Sequence, residues 1–138
     1  MPTLPWARSD QPPAAAQAVV LASKLELRSY RHIPGFLRAA LKARRQVRQS
    51  SGALGVSLVA QPLRKTFWTL SAWADRSSLD AFVATPPHVE IMRRFHEKLV
   101  RSSFTTWDQS VAELPEPNSN AKQLWSEAKD RLAAVASG

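Results

Sequence analysis

Only a few residue types in this chain are able to do chemistry. There are three histidines and no cysteine, which removes thiolate nucleophiles, cysteine-bound metal and disulfide bridges. His88 follows Thr85-Pro86-Pro87. With Thr85 as cap and Pro86 at the first helical position, His88 falls in the first turn, where the macrodipole disfavours imidazolium. A neutral imidazole there can pass a proton or bind iron; the plainer alternative is a histidine that hydrogen-bonds near a cap. His96 lies eight residues on, whereas helical ligand pairs for one metal sit three or four apart. With no carboxylate pair nearby, no metal site is expected. His32, ahead of the first helix, is expected to face water.

Trp68 and Trp73 differ by an odd number, so on a regular strand they point to opposite sheet faces. Phe67, Thr69, Ser71 and Trp73 share one face, and hydroxyls beside a tryptophan suit a pocket wall better than a dry core. We expect Trp68, Ser71, Trp73, Phe82, Met92, Phe95 and Trp107 to shape a substrate pocket beside His88, although core packing is the commoner fate of strand tryptophans. Arg93 and Arg94 are placed to reach a carboxylate or phenolate, or else form a solvated helix face. No glycine-rich phosphate loop, nucleotide fingerprint or Ser–His–Asp pattern is present. A flavin or nicotinamide is therefore unsupported.

The elements that must position these residues follow from periodicity. Met1 to about Gln17 reads as a Pro/Ala-rich tail, because Pro2, Pro5, Pro12 and Pro13 deny it regular hydrogen bonding. Val19, Leu21, Ser23, Leu25 and Leu27 alternate with polar or small residues as a half-buried strand. Pro34 opens a helix whose inner stripe is Phe36, Leu37, Ala40, Leu41, Arg44 and Val47, with Arg38, Lys42, Arg45 and Arg48 outside. Leu54 to Ala60 and Lys65 to Trp73 form a hairpin across Gln61-Pro62-Leu63-Arg64. A helical region from Ser77, capped by Ser77 or Ser78, runs to about Leu99 with a break at Pro86-Pro87. Ser103 to Val111 is a fourth strand, and a proline-rich linker leads to an amphipathic helix from Asn120.

This order predicts an α+β, ferredoxin-like βαββαβ domain over residues 18–111, with a linker and C-terminal helix over 112–138. Two helices cover one sheet face. A partner's sheet is the economical cover for the other, with the last helix or the tail closing the remaining edge.

At 138 residues and 44% apolar, the chain has the size and core of one domain. No apolar run approaches the roughly 20 residues of a membrane span, and no signal-peptide pattern opens the chain. With no cysteine, a cytoplasmic location is expected. The net charge is +8, and from Leu27 to Ala74 there is no acidic residue. That stretch either attracts an anion or simply forms a solvated basic face.

The segment AWADRSSLDAFVATPPHVEIMRRF, carrying Trp73, Leu79, Phe82 and His88, resembles the antibiotic-biosynthesis-monooxygenase superfamily. There a strand ends in Trp, a helix follows with Leu and an aromatic residue or His, and a His comes just after a Ser-Pro-like break. The longer run RKTFWTLSAWADRSSLDAFVATPPH is similar to the spheroidene monooxygenase family and its small bacterial relatives. The resemblance covers about Ala18 to Trp107. It implies a homodimeric α/β barrel with a pocket between the sheet and helices of each protomer. Its members include cofactor-free quinone-forming monooxygenases, haem-binding or haem-degrading proteins, and isomerases. Haem-degrading relatives carry an Asn in the first strand and a His one turn beyond His88. This chain has no Asn from Ala18 to Arg28 and has Met92 at the second position, which argues against haem degradation of that kind.

The leading expectation is a monooxygenase-like protein that takes a small hydrophobic, aromatic or polyene-like molecule. It would use no cofactor, with His88 as the proton-transfer residue. The alternative is a haem-binding oxygenase with His88 or His96 on iron. A non-catalytic ligand-binding or nucleic-acid-associated module ranks last: the basic helix Phe36–Gln49 is its only support, with no helix-turn-helix or exposed aromatic platform beside it.

Overall fold

The computed structural model describes residues 3–8, 17–115, 119 and 121–137. Strands β1 (Thr3–Arg8), β2 (Gln17–Leu27), β3 (Ala53–Gln61), β4 (Thr66–Trp73) and β5 (Leu99–Ser110) form one antiparallel sheet. Its order is β1-β3-β4-β2-β5. Helices α1 (Ile33–Gln49), α2 (Arg76–Val83) and α3 (His88–Phe95) lie between the strands in sequence, and α4 (Lys122–Ser137) ends the chain. β2 to β5 with α1 to α3 make the ferredoxin-like α+β arrangement that the alternation predicts.

The registers settle which side chains share a face. Val19 opposes Trp73 and Ser23 opposes Thr69, while Ser23 also opposes Phe104 on β5. The odd residues of β2 and β4 therefore face α1 to α3, where Leu25, Leu27, Phe36, Phe67 and Phe95 pack together. A second cluster joins Val47, Val56, Trp73, Leu79 and Phe82.

The other face departs from expectation. A partner's sheet was the expected cover, but α4 of the same chain lies there, with Leu124, Trp125, Ala128 and Leu132 against Val20, Ala22, Leu70 and Ala72. All eight side chains are buried within one chain. The tail expected over residues 1–17 is also corrected, because Thr3–Arg8 pairs with β3 as a fifth strand. Trp6 carries that change: it is buried against Leu54 and Val59, and a β-carbon at Gly55 would stand 2.2 Å from its ring. Burying an indole outweighs the poor strand propensity of the neighbouring prolines. Ser57 ties three elements together, donating to Leu4 O (2.7 Å) and accepting from Trp125 Nε1 (3.1 Å). Residues 9–16 of the expected tail, 116–118 of the linker and Asn120 lie outside the described residues.

Several boundaries shift for local reasons. Asp75, rather than Ser77 or Ser78, caps α2: its Oδ1 accepts the Ser78 N–H at 2.8 Å. That bond holds the Asp75 carboxyl below its ordinary range. Thr85 does not cap α3, since its hydroxyl donates to Ala81 O and Pro87 precedes the helix. α3 stops at Phe95, and β5 begins at Leu99. Among the described residues no helix is long and apolar enough to cross a membrane.

Candidate functional site

Between the inner sheet face and α1 to α3 lies a cavity of about 410 Å³. It exists because α1 turns small side chains toward the sheet: Ala39, Ala40 and Ala43 line it in succession. Larger residues at the helical spacing of that stripe would fill the gap. Leu21, Leu25, Val56, Leu58 and Phe104 give the floor an apolar surface. Polar residues are few: Ser23, Thr69, Ser71, Thr105, Thr106, His88, Arg44 and the pair Arg76 and Asp80. The hydroxyls of Ser23 and Thr69 hydrogen-bond each other across the β2–β4 pair. An apolar chamber with a small number of placed polar groups is the usual form of a small-molecule site.

His88 opens α3 and lines this chamber. Its ring packs 4.6 Å from that of Phe82, and Nδ1 lies 3.2 Å from Val83 O. A carbonyl only accepts, so Nδ1 carries the proton and Nε2 keeps its lone pair. Burial pushes the imidazole pKa below its ordinary value, opposed in part by the Val83 carbonyl. The side chain is a neutral imidazole at pH 7, able to accept a proton at Nε2. Gln46 of α1 fixes its position. The Gln46 Oε1 accepts the His88 backbone N–H at 2.9 Å, and its Nε2 donates to Phe82 O (3.3 Å) and Thr85 O (3.2 Å).

Of the other residues expected at the pocket, Ser71, Phe82, Met92 and Phe95 line the cavity. Trp73 stands just behind its wall, fully buried, with Nε1 donating to Ser71 Oγ at 2.9 Å and its ring 5.0 Å from Phe82. Trp68 and Trp107 are corrected to the opposite sheet face. Trp68 donates to Gln61 Oε1 (2.8 Å) beneath Lys24 and Lys129. Trp107 packs under α4, with the Arg131 guanidinium 4.8 Å from its ring. Strand parity dictates this for both. Trp68 is odd-spaced from Trp73, and Trp107 pairs with Val20, whose side chain points to α4.

His96 is exposed in the 3-10 turn after α3, away from the cavity lining. Arg93 and Arg94 are exposed on α3, and Arg94 lies over the Phe95 ring. Among the described residues no cluster of His, Asp and Glu could hold a metal ion. Two site residues were not singled out from the sequence, Gln46 and Arg44. Arg44 had a signal, being the one charged residue on the inner stripe of α1. Gln46 had none, because its partners come together only when the α2–α3 break docks on α1.

The fold and cavity together define a small ferredoxin-like α+β protein with a ligand-sized chamber between sheet and helices. Residues 32–94, which run from the start of α1 through His88 into α3, match the family model of antibiotic biosynthesis monooxygenase. No curated protein matches the chain in sequence. Solved structures with the same fold include a conserved protein from Methanosarcina mazei Go1, at 15% identity over 67% of this chain and 92% of that one (TM-score 0.60). Rv0793 from Mycobacterium tuberculosis is similar at 16% identity over 72% and 97% (TM-score 0.59). A variant of SnoaB, a cofactor-independent oxygenase from Streptomyces nogalater, is similar at 13% identity over 74% and 100% (TM-score 0.58). At these identities the likeness is one of fold.

Proposed function

We propose that the protein is a small monooxygenase that binds a hydrophobic, aromatic or polyene-like substrate in this chamber and oxygenates it without a cofactor. His88 is the proton-transfer residue. The observation that carries this reading is the Nδ1 bond to Val83 O, which leaves Nε2 of a neutral imidazole as base at an apolar cavity. In such a reaction the substrate is the reductant. His88 removes a proton from an acidic C–H or O–H, and the resulting enolate or phenolate passes an electron to oxygen. One oxygen atom enters the product as a carbonyl, and the other leaves as water with the two hydrogens the substrate loses. The chamber orients the substrate, excludes water and supplies the base.

This reading requires a small hydrophobic molecule as partner. It does not require the homodimer implied by the resemblance, because α4 closes the second sheet face within one chain. The test is oxygen uptake by chelator-treated protein with a panel of hydroxylated polycyclic aromatics, beside His88→Ala. We expect turnover to fall about 10²- to 10⁴-fold in the variant. Undiminished turnover of a good substrate by His88→Ala would remove the assignment.

A further inference from the structure

Two arginines line the chamber, and they differ in how their charge is met. Arg76 lies 3.5 Å from Asp80 and donates to Thr106 Oγ1 at 3.3 Å. Arg44 has no hydrogen-bond or acidic partner among the described residues, and its Nε–H is buried from solvent without an acceptor. Burial disfavours the Arg44 cation, and the like charge of Arg48, one turn on, adds to this. Asp80, the one acidic residue lining the chamber among the described residues, already faces Arg76.

A buried guanidinium N–H left without an acceptor is destabilising. Its positive charge beside an apolar chamber has no counter-charge among the described residues, and a bound anion supplies one. The paired Nη groups of a guanidinium present two parallel donors, which match the two oxygens of a carboxylate better than the single oxygen of an alcohol or phenol. The positive field of the acid-free stretch Leu27–Ala74 favours entry of an anion.

We propose that the ligand of this chamber is an apolar carboxylic acid, its carboxylate seated on Arg44 and its hydrophobic body lying between Ala40, Ala43 and the sheet. The inference rests on the chamber being the ligand site, as in the proposed function. It adds the chemical class of the ligand and the residue that selects it.

The experiment is calorimetric titration of the full chain with naphthoate, naphthol and naphthylmethanol, which share a ring system and differ in the polar group. For the wild type we expect naphthoate to bind at least about tenfold more tightly than naphthylmethanol. Arg44→Met should erase that advantage while leaving naphthylmethanol within about twofold, and Arg44→Lys should restore part of it. If Arg44→Met fails to fold, the wild-type preference and Arg44→Lys decide the matter. Equal binding of acid and alcohol to the wild type would overturn the proposal, as would equal weakening of both by Arg44→Met. Naphthol bound most tightly and with the absorbance of its anion would overturn the choice of carboxylate in favour of a phenolate. Failure of all three to bind would overturn the chamber as a ligand site and the proposed function with it. Arg44-dependent naphthoate binding in a protein that takes up no oxygen with any substrate would leave this inference standing and overturn the oxygenase reading alone.

Discussion

The Gln46 side chain and the His88 backbone meet at 2.9 Å, Oε1 to N–H. Through this contact α1 holds the first turn of α3, and through Nε2 it also holds the carbonyls of Phe82 at the end of α2 and of Thr85 just beyond it. The base of the proposed reaction is thus aimed from a different helix than its own.

Replacing Gln46 by Leu keeps much of the volume and removes all three bonds. We expect a loss of about 1–3 kcal/mol, since the groups left behind are partly shielded from water. A larger fractional loss in kcat than in KM should accompany it, because His88 loses its aim. Denaturant melts and steady-state kinetics on the one variant check both.

The pH dependence follows from the depressed pKa of His88. The unfolded chain binds this proton near the ordinary value of 6.5, whereas the folded chain binds it only at lower pH. Stability from this group is therefore fully present above pH 6.5 and is lost as pH falls through the lowered folded value. Urea midpoints of wild type and His88→Gln, followed from pH 7.5 to about pH 5, should converge as the medium becomes acidic. The base form persists below 6.5, so the acid limb of kcat/KM should also lie below that value.

The chamber depends on small residues in α1. Ala40→Leu places a branched side chain into open volume, so the fold should change by less than about 1.5 kcal/mol. Binding of a naphthalene-sized ligand should fall at least about tenfold. A titration calorimeter and a thermal melt separate the two effects.

α4 does for the sheet what a second copy was expected to do. Leu132→Ala should cost about 2–5 kcal/mol, as for other fully buried leucines. A chain ending before α4 exposes Val20, Ala22, Leu70 and Ala72 as one apolar patch, and such patches associate. Sedimentation velocity should show the shortened chain larger than the full one at equal concentration.

Much of this arrangement is legible in the sequence, and the limits have physical causes. The alternation of β2 and β4 and the break at Pro86-Pro87 announce the ferredoxin-like order, and they place His88 at the start of a helix beside Phe82. The face assignment of Trp68 also follows from strand parity, yet aromatic character drew it into the expected pocket. β1 was hidden because Pro2 and Pro5 suggest a tail, while the burial of Trp6 over Gly55 is a contact made at long range. The role of α4 was hidden for a similar reason. Its apolar stripe shows that it must pack, and only the sheet's second face shows on what. Arg44 is visible as a charge among apolar neighbours, but its lack of a partner among the described residues depends on where Asp80 and Arg76 fall in space.

The proposed role of His88 needs a neutral ring with a bare Nε2 toward the chamber, and nitrogen-15 NMR of the imidazole reports this directly. At pH 7 the spectrum should show the proton on Nδ1, and the Nε2 resonance should move when naphthoate fills the cavity. A proton resident on Nε2, or a ring whose nitrogens ignore every ligand that binds, would contradict the assignment of His88 as the base.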